Sequence, residues 1–433
     1  MKVLLVGSGA REHALAWKLR QSPLVNALVL WPGSPAMGNL GEKLDLGLDA
    51  KLSDVARLAK NQGVDMVVVG PEQPLADGFA DDCRELKLPC FGPVKAAALL
   101  ESSKAFAKDV MAAAGIPTAA YQTVLGEEAC RKTAESFLQK TGGVVIKASG
   151  LASGKGVFVC TKQEHIDEAI ERLYRSGMAK AAETVVLEEI LIGRECSFFV
   201  FLGEGPLTPL GFAVDHKRLK DGDQGPNTGG MGCYTPVPWL PSDADQIVIK
   251  TVVEPLEAEL ARRGITYTGC LYVGLMWNEK TGPSVVEFNV RLGDPEAEVL
   301  AVHDQRDWAE LIAAKVGLRA LPESFVAAAS RNQGASVAVV LASPCYPFGE
   351  GETRRFLVPA DGFLNKDPSQ CAFGAAVREE RGQMFTGKGR ILTFVARADD
   401  FVKARKKVYR AIESMADTWE GVQYRRDIGQ QLS

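Results

Sequence analysis

The stretch VVEFNVRLGDPE places Glu287 and Asn289 two residues apart. On a strand that spacing puts both side chains on one face, with Val286, Phe288 and Val290 turned the other way into a core. A carboxylate and an amide on one face are hard oxygen donors of the kind magnesium takes, together with waters and phosphate oxygens. Arg291 continues the polar face, and Asp294 follows in a tight turn.

Other stretches carry complementary chemistry. KASGLASGKGVF reads as a hairpin around a glycine-rich loop, with Lys147 at its base. It fails the Walker A spacing, since only three residues separate Gly150 from Gly154 and Lys155 is followed by Gly156. Such a loop can fold over ATP phosphates as a lid. In VDHKRLKDGDQGPNTGGMGCY, read as one long loop, Asp215, His216 and Lys217 precede Asn227, Thr228, Gly229 and Gly230. Glycines there permit close backbone approach to a ligand. His216 is a candidate general base, and equally a structural histidine. Glu188, on a strand, and Glu195 beyond it can accept bonds from a nucleoside's amine and ribose hydroxyls.

The opening turn, GSGAREH, resembles a dinucleotide fingerprint but has Glu12 where the third glycine is required for close helix packing. It keeps backbone N–H groups at a helix start, and Arg11 beside them. A phosphorylated small molecule suits this turn better than NAD, and a plain structural turn is the bland reading.

These groups need elements to hold them. The runs KVLLVG, ALVLWPG, DMVVVGPE and LPCFGP are spaced for intervening helices, which predicts a parallel sheet of βαβ units with ligands at the strands' carboxyl ends. SSKAFAKDVMAAAG reads as a helix stopping at Gly115. Thereafter strands are joined by tight turns, which predicts a more antiparallel sheet; TVVLEEILIGRECSFFVFLG reads as one strand pair, YTGCLYVGLMW and SVVEFNVRLGDPE as two further strands. A third unit begins near GASVAVVLASPC. The fold class expected is therefore α/β and α+β multidomain.

With 433 residues the chain exceeds one core. A net charge of −4 without basic blocks argues against nucleic acid and anionic membrane as partners. Nine cysteines without a CxxC pair indicate neither zinc nor a disulfide framework, and fit a reducing cytoplasm. No apolar run approaches the roughly 18 residues of a membrane helix.

Taken together, GSGAREHALAWKL, VGPE, SKAFAKD, GKGV, DHKR, GPNTGGMG, EFNVRLGDPE and YRRDIG resemble the phosphoribosylamine–glycine ligases of the ATP-grasp superfamily over nearly the whole chain. The resemblance implies a Rossmann-like preATP-grasp domain (1–103), an ATP-grasp unit (104–325) with a mobile lid lobe at about 120–190, and a C-terminal α+β domain (326–433). It implies ATP, glycine and 5-phosphoribosylamine as substrates, Mg2+ or Mn2+ as the metal, and a monomer or small homo-oligomer. By matching positions, Lys104, Lys147, Gly154, Lys155 and Gly156 should contact ATP phosphates, Glu188 and Glu195 adenosine, and Glu287 and Asn289 the metal. Arg291 should steady the transferring phosphoryl group, and Asp294 and Asp215 glycine's ammonium. Gly9, Arg11, Glu12, Pro71 and Glu72 should hold phosphoribosylamine, with Lys217, Asn227, Thr228, Gly229 and Gly230 lining the substrate side.

Four departures from the family pattern stand at Ala10, Ser34, Ser149 and the GKGR run that ends in Arg390. A related ligase with another amine acceptor, or a non-catalytic nucleotide-binding protein, are the competing readings. The intact set Lys104, Lys147, Glu287, Asn289 and Arg291 opposes the second.

Overall fold

The computed structural model describes residues 1–151, 156–175, 180–321, 333–349, 356–358, 367–416 and 419–432. The first apolar run forms β1 (Lys2–Gly7), the second β2 (Ala27–Pro32), the third β4 (Met66–Val69) and the fourth β5 (Cys90–Phe91); a short β3 (Glu42–Lys43) joins the edge. All pair in parallel, in the order β3-β2-β1-β4-β5. Adjacent strands point the same way because helices such as Ala10–Arg20 and Leu52–Asn61 return the chain between them. β3 escapes a hydrophobic search because both its residues are exposed.

Helix Lys104–Ala114 ends at Gly115, whose left-handed backbone (φ 68°) suits a residue without a Cβ. Its start is capped twice. Ser103 accepts from Phe106 N, and the Ser149 hydroxyl accepts from Ala105 N at 3.0 Å.

A small antiparallel sheet follows: β6 (Tyr121–Leu125), β7 (Val144–Ala148), β8 (Val157–Cys160) and β9 (Thr184–Glu188), in the order β6-β9-β7-β8. Helices Glu127–Thr141 and Gln163–Arg175 cover it around a core of its own that includes Ile146, Ile166, Ile170 and Leu187.

The large sheet takes the remaining long strands: β10 (Arg194–Leu202), β11 (Thr208–Asp215), β14 (Gly232–Thr235), β15 (Gly269–Asn278), β16 (Gly282–Asn289), β17 (Ala335–Ala342), β18 (Gln370–Gly374) and β21 (Arg390–Ala398). Its order is β16-β15-β10-β11-β14-β17-β21-β18. Two expectations are corrected here. β9 and β10 do not pair with each other; the segment between them crosses from the small sheet to the large one. The third unit extends the large sheet, since β17 pairs with β14 from Gly232↔Val339 to Thr235↔Ser336. The long loop contains a hairpin, β12 (Arg218–Lys220) with β13 (Gln224–Asn227); a second hairpin joins β19 (Val377–Glu380) to β20 (Gln383–Thr386).

Leu4 and Val6 of β1 share one core with Phe198, Val200, Leu271 and Val273 of the large sheet. On the opposite face Val3 and Leu5 pack with Ala14, Leu19 and Val299. The parallel sheet is thus buried on both sides, as parallel sheets require. All nine cysteines are free. Among the described residues no helix is long and apolar enough to cross a membrane.

Candidate active site

A cavity of about 900 Å3 opens where the two antiparallel sheets and the carboxyl ends of the parallel sheet meet. β16 supplies its floor. Glu287, Asn289 and Arg291 all line it, while Phe288 and Val290 are buried in the core, as alternation along a strand predicts. Val286 departs from that alternation and borders the cavity, because the β15–β16 register slips between Gly274 and Leu275. Burial alone would raise the Glu287 carboxyl, but Lys217, Lys104, Lys147 and Arg291 together hold it below the usual carboxylate range. No hydrogen bond engages its oxygens among the described residues. An ionised carboxylate so placed, beside the Asn289 amide, fits a hard divalent cation that completes its shell with phosphate and water. Among the described residues no group of three or more acidic, histidine or cysteine side chains is placed to hold a metal ion by itself.

Above this floor Lys147 of β7 donates to Glu188 Oε2 at 2.9 Å and to the Val286 carbonyl at 3.0 Å. Lys108 Nζ lies 3.2 Å from Glu188 Oε1. Glu188, expected at adenosine, thus lines the cavity with each carboxylate oxygen facing a lysine. Lys104, in the first turn of its helix, lines the same wall. The nearby Leu100, Met111, Ile190, Leu191 and Met276 give an apolar slot of the kind that takes a planar base. Glu195, expected on the ribose, meets Lys217 at 2.5 Å.

The third wall is a charge network. Arg291 pairs with Glu101 at 2.7 Å and with Glu72 at 3.2 Å, and Arg11 lies 3.9 Å from Glu72. Glu101 is buried and also accepts from Val290 N at 2.9 Å; burial raises its carboxyl against the pull of Arg291. Glu12 does not face the cavity. Its carboxylate folds back to accept from Gly9 N at 2.7 Å and Arg11 Nε at 2.6 Å. It fills a space that only glycine leaves: a Cβ on Gly70 would meet Glu12 Oε1 at 2.1 Å, and one on Gly7 would meet Glu12 Cγ at 2.4 Å. Glu12 therefore sets Arg11, and it stands where a dinucleotide fingerprint needs glycine for this structural reason.

At the far end Asp215, Asp294, Glu296, Lys217 and Arg390 converge. Asp215 Oδ1 is buried and accepts no hydrogen bond; burial and Glu296 push its carboxyl well up, against Lys217 and Arg390. The Asp294 carboxylate is 3.0 Å from Arg390, which also donates to the carbonyls of Asp294 (2.6 Å) and Gly229 (2.7 Å). The C-terminal unit thus reaches the cavity. Asn227, Thr228 and Gly229 line the mouth, with Gly229 N donating to Tyr346 Oη at 2.8 Å. His216 is buried and held neutral, its pKa lowered to about 4 by burial, and its ring packs on Tyr234. It is structural.

Of the expected residues, Gly9, Glu12, Pro71 and Gly230 do not line the cavity, and Gly154 and Lys155 lie outside the described residues. Gly230 instead allows a close approach: with φ +115°, a Cβ there would meet Pro295 Cδ at 2.6 Å. Glu101, Lys108, Glu296 and Arg390 line the cavity without having been singled out for it. Only Lys108 carried a local signal, one helical turn beyond Lys104 and on the same face.

The departures now have physical readings. Ala10 opens a helix, where its negative φ is ordinary. Ser149 caps helix Lys104–Ala114, a task serine and aspartate share. Lys388 of GKGR is exposed, leaving Arg390 free to point inward. The Ser34 hydroxyl is buried without a partner, and nothing in the structure explains it.

Three family models match the chain in order: the N domain of phosphoribosylglycinamide synthetase over residues 1–101, its ATP-grasp (A) domain over 102–297, and its C domain over 336–431. A phosphoribosylamine–glycine ligase of Mycobacterium leprae is 41% identical over 99% of this chain and 98% of its own length. The crystal structure of a phosphoribosylamine–glycine ligase from Thermotoga maritima superposes with a TM-score of 0.80 at 31% identity, covering 99% of this chain and 100% of that one. The biotin carboxylase domain of Hydrogenobacter thermophilus 2-oxoglutarate carboxylase, solved with ADP and magnesium, shares the fold at 20% identity, with a TM-score of 0.68 over 95% of this chain and 89% of that one.

Proposed function

The chain belongs to the phosphoribosylglycinamide synthetase family, and on that premise we infer that it ligates glycine to 5-phosphoribosylamine with ATP, giving glycinamide ribonucleotide, ADP and phosphate, a step of purine biosynthesis. The observation that carries the reading at the level of residues is the β16 face. Glu287, Asn289 and Arg291 line one cavity wall opposite Lys147 and Lys104, in a chain that matches the family along its length.

A carboxylate is a poor acceptor for an amine, so ATP must first convert glycine to glycyl phosphate. A glycine carboxylate oxygen attacks the γ-phosphorus and ADP leaves. The phosphoribosylamine nitrogen then attacks the glycyl carbonyl, the C–O bond to phosphate breaks, and the departing phosphate can take the amine proton. The protein's work in both steps is positioning and charge neutralisation.

In our reading Lys104 and Lys147 hold ATP phosphates, and the loop containing Gly156 closes with the small sheet, whose separate core lets it move as a body. Glu287 and Asn289 hold a divalent cation, magnesium in preference because hard oxygen donors surround it. Such a cation, when bound, neutralises phosphate charge. Arg291, locked by Glu101 and Glu72, presents a fixed guanidinium to the transferring phosphoryl group. Asp215 suits glycine's ammonium, since a cation there supplies what its burial lacks. Asp294 acts with Arg390. Arg11 and Glu72 take the phosphoribosylamine side, and Lys217, Asn227, Thr228 and Gly229 border both substrates. Nine free cysteines fit a reducing cytoplasm.

The test is phosphate release from ATP with magnesium, omitting glycine or phosphoribosylamine in turn. Release that needs both substrates is expected, with glycinamide ribonucleotide as product. Glycine-dependent release indifferent to the amine would displace phosphoribosylamine as the acceptor.

A further inference from the structure

Glu188 is buried between two ammonium groups that come from different elements. Lys147, on β7 of the small sheet, gives it a directed hydrogen bond at 2.9 Å. Lys108, on the helix Lys104–Ala114, approaches the other oxygen at 3.2 Å as an ion pair. The directed bond of Lys108 goes elsewhere, to Thr118 Oγ1 at 2.7 Å, and Thr118 passes it on to the Val285 carbonyl at 2.6 Å. Lys108 Nζ also sits 5.3 Å above the Tyr121 ring. Both lysine side chains are nearly closed to solvent, at 2% and 4% exposure, and both line the nucleotide cavity.

The group as a whole carries one net positive charge. If Lys108 were absent, Glu188 and Lys147 would form an isolated buried pair. Turning Lys147 toward a phosphate would then leave the carboxylate uncompensated, which is costly in a dry interior. With Lys108 in place, Glu188 keeps a counter-ion whichever way Lys147 turns. Lys147 has three donors and uses two of them, on Glu188 and Val286, so one is available at the outset.

We propose that Lys108 is a positioning residue for nucleotide binding, which neutralises Glu188 so that Lys147 is free to bind ATP phosphate. This rests on the reading of Lys147 as a phosphate ligand. It goes beyond that reading by making a neighbouring lysine, through its ion pair with Glu188, control the strength of the contact.

The experiment measures Kd for ATP and the inhibition constant of adenosine in the full-length protein. Lys108→Met is expected to weaken ATP about ten-fold and leave adenosine unchanged, because only phosphate contact depends on Lys147. Adding Glu188→Gln to it removes the trap and is expected to restore most of the ATP affinity. Lys108→Arg, which keeps the charge, is expected to stay within about two-fold of the wild type. Equal weakening of ATP and adenosine by Lys108→Met, or a double variant no better than the single, would overturn the proposal. If Lys108→Met does not fold, the arginine variant decides: ten-fold weakening there overturns it. Lys147→Met separates the two layers. Undiminished ATP binding in that variant removes the phosphate-ligand reading itself, whereas weakened binding there with a normal Lys108→Met removes only the proposal made here.

Discussion

Arg11 and Arg291 donate to the same carbonyl oxygen, that of Leu292, each at 3.2 Å. Two guanidinium groups converge there because Glu72 lies between them, 3.9 Å from Arg11 and 3.2 Å from Arg291. The first turn of the parallel sheet and the end of β16 are tied into one wall. If that wall divides its labour as we propose, Arg11→Ala should raise KM for phosphoribosylamine about ten-fold and leave KM for ATP within about two-fold. Steady-state kinetics with each substrate varied would check this, and the reverse pattern would move the sugar phosphate elsewhere.

Glu287→Ala should abolish turnover while the thermal midpoint stays near that of the wild type, because the side chain makes no hydrogen bond that the fold depends on. Binding of ATP should also lose its dependence on magnesium. Calorimetric titration of ATP with and without the cation distinguishes this from simple damage to the cavity.

Lys108 predicts a pH dependence with two opposite signs. Burial and Lys147 lower its pKa from 10.5 to about 8, against the pull of Glu188 and Glu189; the Tyr121 ring packs on the same ammonium. As pH rises through about 8 the ammonium is lost, so KM for ATP should climb. Stability should rise over the same range, since the unfolded chain holds the proton up to about 10.5 and the folded one does not. Lys108→Met should abolish both slopes, in kinetics and in urea unfolding at pH 7 to 10.

Acid should destabilise the protein through its buried histidines. His216 and His303 are buried neutral, with pKa values lowered to about 4 by burial from 6.5. The unfolded chain therefore binds protons that the native one refuses as pH falls from 6.5 towards about 4. Each histidine then costs up to about 3 kcal/mol at the foot of that window. His303→Gln, which can still meet Ser336, should flatten part of the slope in thermal melts across this range.

Arg425 should prove structural at a distance from the chemistry. It donates to Asp223 at 2.6 Å and to Asp427 at 2.7 Å, and Asp427 in turn accepts from Gly222 N at 2.8 Å. The YRRDIG segment thereby clamps hairpin β12–β13, which leads into the cavity mouth. Arg425→Ala should cost about 2 kcal/mol in urea unfolding, the size expected when hydrogen bonds to charged groups are lost, since the carboxylates left behind reach solvent.

What the sequence could disclose depended on whether a residue's partner was near it in the chain. Glu287 and Asn289 were legible because alternation along β16 is a local pattern. The capping of helix Lys104–Ala114 was half legible: Gly115 marks its end, but its second N-terminal acceptor is Ser149, from another sheet. Glu101 carried no local signal, because its partners Arg291 and Val290 N lie far along the chain. The lysines that reach Glu188 were hidden for the same reason, since both come from elsewhere in the chain. The separation of β9 from β10 was invisible too, because a crossing between sheets and a turn within one leave the same apolar runs.

The large sheet has a practical corollary for anyone dividing the gene. Family models leave residues 298–335 unmatched between the ATP-grasp and C-terminal regions, which invites a cut there. The hydrogen bonding has no such seam: β14 and β17 are neighbours in one ladder. Severing them would bare two strand edges at once, each a template for pairing with a stranger. The two regions are best inherited, expressed and transplanted as a single part.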